Sequence, residues 1–300
     1  MAIHALAIGF MLASASLPEA QAPSIMPEAS DVEIIKTRPD RDRRMTVPVR
    51  IGETDTFDFI IDTGSQTTVL ARDIAERMRL PLARRARIVG IAGTEDADTV
   101  IVSEIGLGRR SYSDMEVVLF EGRHIGADGI VGIDSLQRQR VLLDFGRNLM
   151  TVGDARSQGG NRGFEIVVTA RRRLGQLILT DAVIDGVRTD VIIDTGADTS
   201  VGNRALQRAL NRHATNQSIS LIAVTGQPVT AELSFPRKLT IGTVDITNLQ
   251  VAYTDTPVFD VLKLKRPALL LGMHELRLFK RIAVDFAAQK VYFDLPEDAR

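Results

Sequence analysis

Short runs of apolar residues, either continuous or alternating with polar residues, recur along most of this 300-residue chain. Turn-forming residues separate the runs, and β-branched side chains are frequent within them, which is typical of short strands. In the first half of the chain the runs cover residues 47–51, 56–61, 99–107 and 115–120. In the second half they cover residues 176–184, 189–193, 238–241 and 249–253. The pattern therefore predicts a mostly β protein.

Two further stretches, residues 71–79 and 204–212, have helical character, and each follows an apolar strand. We expect each half of the chain to form a small, mostly antiparallel β-unit with one or two short helices. The second half is slightly longer than the first, and we expect its extra residues to form a surface loop near residues 261–267.

The apolar pattern also repeats once, and such a repeat indicates duplicated structure. Residues 59–64 are Phe-Ile-Ile-Asp-Thr-Gly, and residues 191–196 are Val-Ile-Ile-Asp-Thr-Gly. In both copies a small residue and several polar residues follow, and the segment ends on a valine, Val69 or Val201.

Further matched features follow in the same order in both halves. A glycine-bearing turn comes first: Gly93 follows Asp62, and Gly226 follows Asp194, at intervals that differ by a single position (93 − 62 against 226 − 194). An apolar-apolar-Gly segment and a closing strand with an Asp-Phe pair come next. The segments end at Gly132 and Gly272, and the pairs are residues 144–145 and 285–286. This order predicts two duplicated lobes related by a pseudo-twofold axis.

Breaks between these features set the predicted domain boundaries. Residues 23–45 are rich in proline and charge, which favours an exposed tether, although a removable pro-segment fits the same composition. A stretch rich in Ser, Gly and Asn predicts a flexible linker over residues 154–163. We therefore expect an N-terminal lobe at residues 46–153 and a C-terminal lobe at residues 164–300.

Residues 1–22 have features of an export signal. The segment from Met1 to Leu17 is apolar, and Ala13-Ser14-Ala15 provides small residues at a spacing typical of signal cleavage. The alternatives are an ordinary buried or disordered N-terminus and an uncleaved membrane anchor, for which the apolar stretch is short. We expect a periplasmic or secreted protein that contacts the membrane only if this segment is not cleaved.

Composition and charge exclude several classes of function. The formal net charge is −1, so no bulk field attracts nucleic acid, and no nucleic-acid-binding motif is present. The chain has no cysteine, which excludes a thiol nucleophile and a cysteine-based zinc site. Its four histidines lack metal-ligand spacing, so neither a metal nor another cofactor is expected.

A strand that runs into Asp-Thr-Gly places a carboxylate in a tight turn, where glycine permits the backbone path. One copy alone is compatible with a structural Asp that accepts turn hydrogen bonds. Two copies in the same context predict that Asp62 and Asp194 meet across the axis and share one proton. The charged member would take a proton from water, and the neutral member would donate a hydrogen bond to a peptide carbonyl. Thr63 and Thr195 would brace this dyad across the axis.

Together these motifs resemble the retropepsin-like aspartic proteases over about residues 46–296. The segment from Asp194 to Val201 is very close to the active-site signature of the retroviral enzymes, and the apolar-Gly segments match the second hallmark of the family. The resemblance implies an acid-protease fold of two β-barrel lobes. It also implies catalytic roles for Asp62 and Asp194, with Thr63, Gly64, Thr195 and Gly196 as support for the dyad.

The same resemblance implies two flaps that close over the substrate. The candidate flap residues are Ile91, Ala92, Gly93, Thr225 and Gly226, and the structural glycines of the apolar-Gly segments are Gly132 and Gly272. Retroviral enzymes are homodimers of one-lobe chains, whereas both lobes are fused here, as in pepsins. The first flap lacks the pepsin flap tyrosine, which puts pepsin-like flap chemistry in doubt.

We therefore expect a monomeric aspartic endopeptidase that binds polypeptide in extended form and processes exported or membrane-protein substrates. Three alternatives remain open. The first is a peptide-binding pseudoprotease of the same fold, without turnover. The second is an enzyme that residues 23–45 inhibit until they are removed, and the third is an unrelated structural protein in which both turns are coincidental.

Overall fold

A computed structural model of the chain describes residues 4–6, 12–13, 33–39, 44–52, 55–136, 139–153, 164–210 and 217–296. The predicted linker, residues 154–163, lies outside the described residues, as do most of the predicted export signal and part of the predicted tether. The predicted domain boundaries stay predictions. No helix among the described residues is long and apolar enough to cross a membrane.

The first part of the chain forms short strands and two short helices. The strands are β1 (His4–Leu6), β2 (Leu12–Ala13), β3 (Glu33–Lys36), β4 (Arg38–Pro39), β5 (Met45–Ile51), β6 (Asp55–Ile61), β7 (Val69–Ala71), β8 (Leu82–Gly90), β9 (Gly93–Leu107), β10 (Arg110–Phe120), β11 (Gly129–Val131), β12 (Arg140–Asp144) and β13 (Leu149–Gly153). Helix α1 (Arg72–Arg77) follows β7, and α2 (Gly122–Ile125) follows β10.

The second part repeats this arrangement with three short helices, α3 (Arg204–Ala209), α4 (Pro257–Val261) and α5 (Met273–Leu276). Its strands are β14 (Ile166–Thr169), β15 (Arg171–Arg173), β16 (Gln176–Ile184), β17 (Val187–Ile193), β18 (Ser200–Gly202), β19 (Ser218–Ile222), β20 (Pro228–Ser234), β21 (Lys238–Ile241), β22 (Val244–Thr247), β23 (Val251–Tyr253), β24 (Ala268–Leu271), β25 (Arg281–Asp285) and β26 (Lys290–Asp294). Asn203 caps α3 by accepting a hydrogen bond from the amide of Leu206 at 2.9 Å.

Each lobe is built on one large sheet. In the N-terminal lobe the strand order is β2-β8-β9-β10-β7-β11-β6-β5-β4, and β5 also pairs with β9, which closes six of the strands into a barrel. In the C-terminal lobe the order is β1-β19-β20-β23-β18-β24-β17-β16-β21-β22, with β15 paired to β16. The prediction of a mostly β protein with two acid-protease lobes is confirmed.

The same arrangement of strands recurs beside each Asp-Thr-Gly turn. Strand β11 lies between β6 and β7, parallel to the first and antiparallel to the second. Strand β24 lies in the same way between β17 and β18. Because such strands are buried on both faces, their sequences are apolar without alternation. Ile60 and Ile192, which lie in the strands that precede the two turns, are 0% and 1% exposed.

A third sheet of six strands joins the lobes, in the order β14-β26-β25-β12-β13-β3. Its central strands β12 and β25 come from different lobes and pair so that Arg140 lies opposite Asp285 and Asp144 lies opposite Arg281. Arg140 and Asp285 form an ion pair at 3.1 Å, with side-chain exposures of 2% and 1%. The strands that close each lobe therefore also hold the lobes together.

The prediction of an exposed tether over residues 23–45 is wrong for its described part. Strand β3 is an edge strand of the six-stranded sheet, where it pairs with β13 and buries Ile35. Arg44, directly before β5, is 0% exposed. The adjacent apolar residues Ile34 and Ile35 provide a strand signal that the surrounding prolines and charges obscured.

The expectation of a surface loop near residues 261–267 is also wrong in part. Helix α4 ends at Val261, and two leucines that follow, Leu262 and Leu264, are 0% and 6% exposed. Their alternation with lysines allows the apolar side chains to point inward while the charged side chains reach solvent. The inserted residues therefore contribute to the core of the C-terminal lobe.

Candidate active site

The two Asp-Thr-Gly turns begin where β6 and β17 end. The backbone amide of Asp62 donates a hydrogen bond to Val131 of β11 at 3.1 Å, and that of Asp194 donates to Leu271 of β24 at 3.0 Å. The exposed fractions of the two aspartates are 1% and 0%. Each turn is therefore held at its aspartate by a backbone hydrogen bond to the neighbouring strand, β11 or β24.

The two threonines bind the turns to each other. The hydroxyl of Thr63 donates to the carbonyl oxygen of Ile193, and the hydroxyl of Thr195 donates to that of Ile61, both at 2.7 Å. Each hydroxyl also accepts a hydrogen bond from the backbone amide of the other threonine, at 3.0 and 3.3 Å. This reciprocal set of bonds places the turns on either side of the pseudo-twofold axis.

The two glycines bring the aspartates into contact across that axis. A Cβ atom at Gly64 would lie 2.8 Å from Cγ of Asp194, and one at Gly196 would lie 2.2 Å from Oδ2 of Asp62. Each carboxyl group therefore lies against the backbone of the opposite turn, where a larger residue would collide with it. The carboxyl group of Asp194 lies close enough to that of Asp62 to lower its pKa.

Backbone amides of each turn donate to one oxygen of its aspartate. Oδ1 of Asp62 accepts hydrogen bonds from the amides of Gly64 at 2.7 Å and Ser65 at 2.9 Å. Oδ1 of Asp194 accepts the equivalent bonds, both at 3.1 Å. These bonds orient the carboxyl groups and favour their ionised forms.

Burial opposes ionisation at the same site. It raises the pKa of Asp62 to about 6, although the turn amides, the guanidinium of Arg44 and a hydrogen bond from Asp194 all act to lower it. A carboxyl group with that pKa can gain and lose a proton near neutral pH, as a general base or acid must.

The apolar-Gly segments pack directly behind the turns. A Cβ atom at Gly132 would lie 2.5 Å from the backbone of Thr67, and one at Gly272 would lie 2.8 Å from the carbonyl oxygen of Asp198. Only glycine allows this approach of two backbones. The two predicted structural glycines therefore contact the residues that follow the two aspartates.

Buried polar groups that the sequence analysis missed complete this support in the N-terminal lobe. The backbone amide of Gly132 donates to the hydroxyl of Thr68 at 3.2 Å. That hydroxyl donates to the carboxyl group of Asp134 at 2.7 Å. Burial raises the pKa of Asp134, and its hydrogen bonds with Thr68 and Ser135 act in the opposite direction.

The C-terminal lobe has an equivalent set. The backbone amide of Gly272 donates to the hydroxyl of Ser200 at 2.9 Å, and this hydroxyl donates to Glu275, which is 0% exposed. Burial raises the pKa of Glu275. The two hydroxyls lie at matched positions, at the same interval after Asp62 and Asp194 (68 − 62 = 200 − 194), which is a signal that could have identified them.

The predicted flap residues lie at the turns of two hairpins. Ile91 and Ala92 form the turn between β8 and β9, and Gly93, with a φ of +147°, begins β9. Thr225 and Gly226 lie in the turn between β19 and β20, where Gly226 has a φ of +86°. The structure therefore places all five at hairpin tips, one hairpin in each lobe.

Each hairpin tip packs against the opposite lobe. Ile91 is 1% exposed and belongs to a hydrophobic cluster with Phe259 of α4, and α4 contacts β8 directly. A Cβ atom at Gly226 would lie 2.2 Å from the imidazole of His124 in α2. The hairpins also contact each other, because the side-chain amide of Gln227 donates to the carboxyl group of Glu95 at 3.3 Å.

Comparison with known proteins agrees with this duplicated site. The model of the aspartyl protease family matches residues 47–135 and 180–274, and each match contains one Asp-Thr-Gly turn and one apolar-Gly segment. The chain belongs to the aspartyl protease family. The resemblance inferred from the sequence motifs is thereby confirmed. A search of curated proteins finds no match.

This aspartyl protease has no metal cluster in the part of the chain that the structure describes, since no three His, Asp or Glu side chains there could hold an ion together. The chemical groups that meet at the pseudo-twofold axis are two carboxyls, two hydroxyls and backbone amides. Such a set can hold and activate a water molecule, because a shared proton leaves one carboxyl charged and the other neutral.

Proposed function

We propose that this protein is an aspartic endopeptidase and that Asp62 and Asp194 activate the water that hydrolyses a peptide bond. The approach of each carboxyl group to the opposite turn, which the reciprocal threonine hydrogen bonds hold in place, carries this proposal. Family membership supports hydrolase activity in general, and the geometry of the turns supports these two residues as its centre.

In the proposed reaction the charged carboxylate takes a proton from water as the water oxygen attacks the carbonyl carbon. The neutral carboxyl group donates a hydrogen bond to the carbonyl oxygen and transfers its proton there as negative charge develops. A neutral tetrahedral gem-diol forms without a covalent bond to the enzyme, and the two carboxyl groups have exchanged protonation states. When the C–N bond breaks, the protonated carboxyl group gives its proton to the leaving amine and the carboxylate takes a proton from one gem-diol hydroxyl, so the dyad again holds one proton.

We expect the substrate to be a polypeptide in extended form. The outer strands of both hairpins already pair with extended backbone: β1 lies parallel to β19, and β2 lies antiparallel to β8. These edges can therefore accept a strand through main-chain hydrogen bonds, which is the usual basis of β-strand addition. Exported or membrane proteins as substrates, and export of this chain itself, belong to the same proposal.

A single chain carries both aspartates, so the site needs no second copy, and we propose a monomer. A pseudoprotease that binds peptide without turnover is the main alternative. The structure offers no specific observation in its favour, and the experiment below distinguishes the two.

The test uses the full chain, because β3 and Arg44 precede the predicted N-terminal lobe and are part of the fold. Wild type, Asp62→Asn and Asp194→Asn are incubated with an unfolded protein over about pH 4 to 7, a range that spans the titration expected for the dyad. The control is Asp55→Asn, which removes an exposed carboxylate at the start of β6.

We expect wild type and the control to cleave, and each dyad variant to lose at least about 1000-fold in kcat. If wild type binds but cuts no substrate, the pseudoprotease is correct. If either dyad variant cleaves as well as wild type, the proposed mechanism is wrong.

A further inference from the structure

The two lobes differ at one pair of equivalent buried positions beside the dyad. In the β5–β6 pair Thr46 lies opposite Ile60, so Arg44, two positions earlier, stands opposite Asp62. In the β16–β17 pair Ile178 lies opposite Ile192, so Gln176 stands opposite Asp194. Arg44 and Gln176 also precede their aspartates by the same interval in sequence (62 − 44 = 194 − 176).

Both side chains are buried, and both donate hydrogen bonds to backbone carbonyl oxygens. Gln176 is 1% exposed, and its amide donates to the carbonyl oxygen of Gly64, in the opposite catalytic turn, at 2.8 Å. Arg44 is 0% exposed, and its guanidinium donates to the carbonyl oxygen of Ile125, at the end of α2, at 3.0 Å. Complete burial of a guanidinium is rare and costly, whereas the neutral amide fills the equivalent place in the other lobe.

The backbone hydrogen bonds to the two aspartates also differ in length. The turn amides donate to Asp62 at 2.7 and 2.9 Å and to Asp194 at 3.1 Å. Shorter amide bonds and a buried positive charge both favour a carboxylate over a carboxylic acid. Both differences therefore favour negative charge on Asp62.

We propose that Arg44 is a positioning residue that makes the dyad unequal, so that Asp62 is the ionised member that deprotonates water and Asp194 is the protonated member. This assignment rests on the proposed proteolytic function and extends it by giving the two aspartates separate roles. Gln176 holds the equivalent position without charge and fixes the backbone of the opposite turn.

Within the described part of the chain, few charged groups lie close enough to change this balance. Arg44, directly before β5, and Asp194, in the opposite turn, are the ionisable side chains there that act on the pKa of Asp62. Asp134, behind the same turn, is bound by Thr68 and Ser135. In α2, His124 lies against Gly226, and the side chain of Arg123 is 76% exposed.

The test measures kcat/KM against pH for the full chain and for Arg44→Gln, Arg44→Met and Arg44→Lys. Removal of the positive charge raises the pKa of Asp62, so the acid limb of the profile should move to higher pH by about 1 unit in the Gln and Met variants. The Lys variant keeps the charge and should retain most of the wild-type position. Arg50→Gln, the same change six residues later at a partly exposed site, should leave the limb unmoved.

The outcomes separate the two proposals. If wild type cleaves and the acid limb of folded Arg44→Gln or Arg44→Met coincides with that of wild type, the role of Arg44 is refuted while the proteolytic function stands. If wild type does not cleave at all, the proposed function itself fails. If neither neutral variant folds, carboxyl ¹³C NMR of wild type decides, since a titration shared equally by Asp62 and Asp194 contradicts the proposal and an unequal one supports it.

Discussion

Among single residues, Asp62 shows most directly how burial and hydrogen bonding oppose each other. Its carboxyl group is removed from water, which raises its pKa from 3.8 to about 6 despite two short amide bonds. The ionised form of this carboxyl group therefore lowers the stability of the fold, a cost that the proposed catalytic role would explain.

This balance predicts a pH-dependent gain in stability for Asp62→Asn. The folded-state pKa of Asp62 is raised above its unfolded value, so folding favours the protonated form, and stability is lost as the pH rises through about 6. An asparagine can keep the amide hydrogen bonds without a charge. We expect the variant to be more stable than wild type by up to about 3 kcal/mol at about pH 8, and by much less at about pH 4.

Thermal or urea unfolding at both pH values measures this difference. Asp55→Asn, at an exposed position, serves as the control and should show no comparable pH-dependent gain. A variant less stable than wild type at about pH 8 would show that the charged carboxylate stabilises the fold, contrary to this account.

At the scale of secondary structure, each of the two hairpins reaches from its own lobe to the opposite one. The buried Ile91 makes this contact in the first hairpin, and the half-buried Gly226, which lies against His124, makes it in the second. If the hairpins act as flaps, substrate entry has to break these contacts and closure has to remake them. The contacts between tip and lobe should then influence KM as well as stability.

Gly226→Ala tests the second contact. The added Cβ would lie 2.2 Å from the imidazole of His124, so the hairpin tip must move away from α2. Gly186→Ala is a matched control, because Gly186 has nearly the same φ, +87° against +86°, but has no atom within 4 Å of its Cβ position. Both variants carry the cost of a left-handed alanine, about 1 kcal/mol, and only one carries the collision.

We expect kcat/KM for a peptide substrate to fall about tenfold more in Gly226→Ala than in Gly186→Ala, which corresponds to about 1.4 kcal/mol. The double variant Gly226→Ala/His124→Ala should recover most of this loss, since it removes the ring that the methyl group meets. Equal effects of the two alanines on kcat/KM would argue against a functional role for this tip.

At the scale of the whole molecule, duplication explains why so much was predictable from the sequence. The strands that lead into the Asp-Thr-Gly turns were predicted within a few residues, because burial on both faces in each lobe requires the same apolar run twice. The buried polar residues around the turns were not predicted. Gln176 donates to Gly64 of the opposite turn, and Glu275 accepts a hydrogen bond from Ser200 of its own lobe. Each lies far in sequence from its partner, so only the folded arrangement of strands and helices brings them together.

The structured part of the predicted tether was missed for a related reason. Strand β3 is short, and it pairs with β13, which lies at the other end of the N-terminal lobe in sequence. The composition of the residues around β3 therefore gave little indication that they form a strand. The six-stranded sheet that joins the lobes depends largely on such distant pairings. Its stability therefore determines whether the two halves of the site stay together.

The buried ion pair at the centre of this sheet gives the last prediction. Arg140 pairs with Asp285 at 3.1 Å, and its guanidinium lies 4.2 Å above the ring of Tyr292. Replacement of Arg140 by methionine leaves Asp285 buried without this partner, which typically costs about 3–5 kcal/mol, so we expect a loss of about 3 kcal/mol in urea unfolding. Activity should fall at lower urea concentration than in wild type, because both lobes are needed to form the dyad.

An exposed ion pair provides the control for this experiment. Arg50 lies 3.7 Å from Glu104, with side-chain exposures of 41% and 45%. Arg50→Met should therefore cost clearly less than Arg140→Met, at most about 1 kcal/mol, since water can solvate the remaining carboxylate. The double variant Arg140→Met/Asp285→Leu should regain much of the stability lost in Arg140→Met, because it removes the unpaired charge. Equal losses of stability in Arg140→Met and Arg50→Met would contradict the view that burial of the Arg140–Asp285 pair sets the cost of losing it.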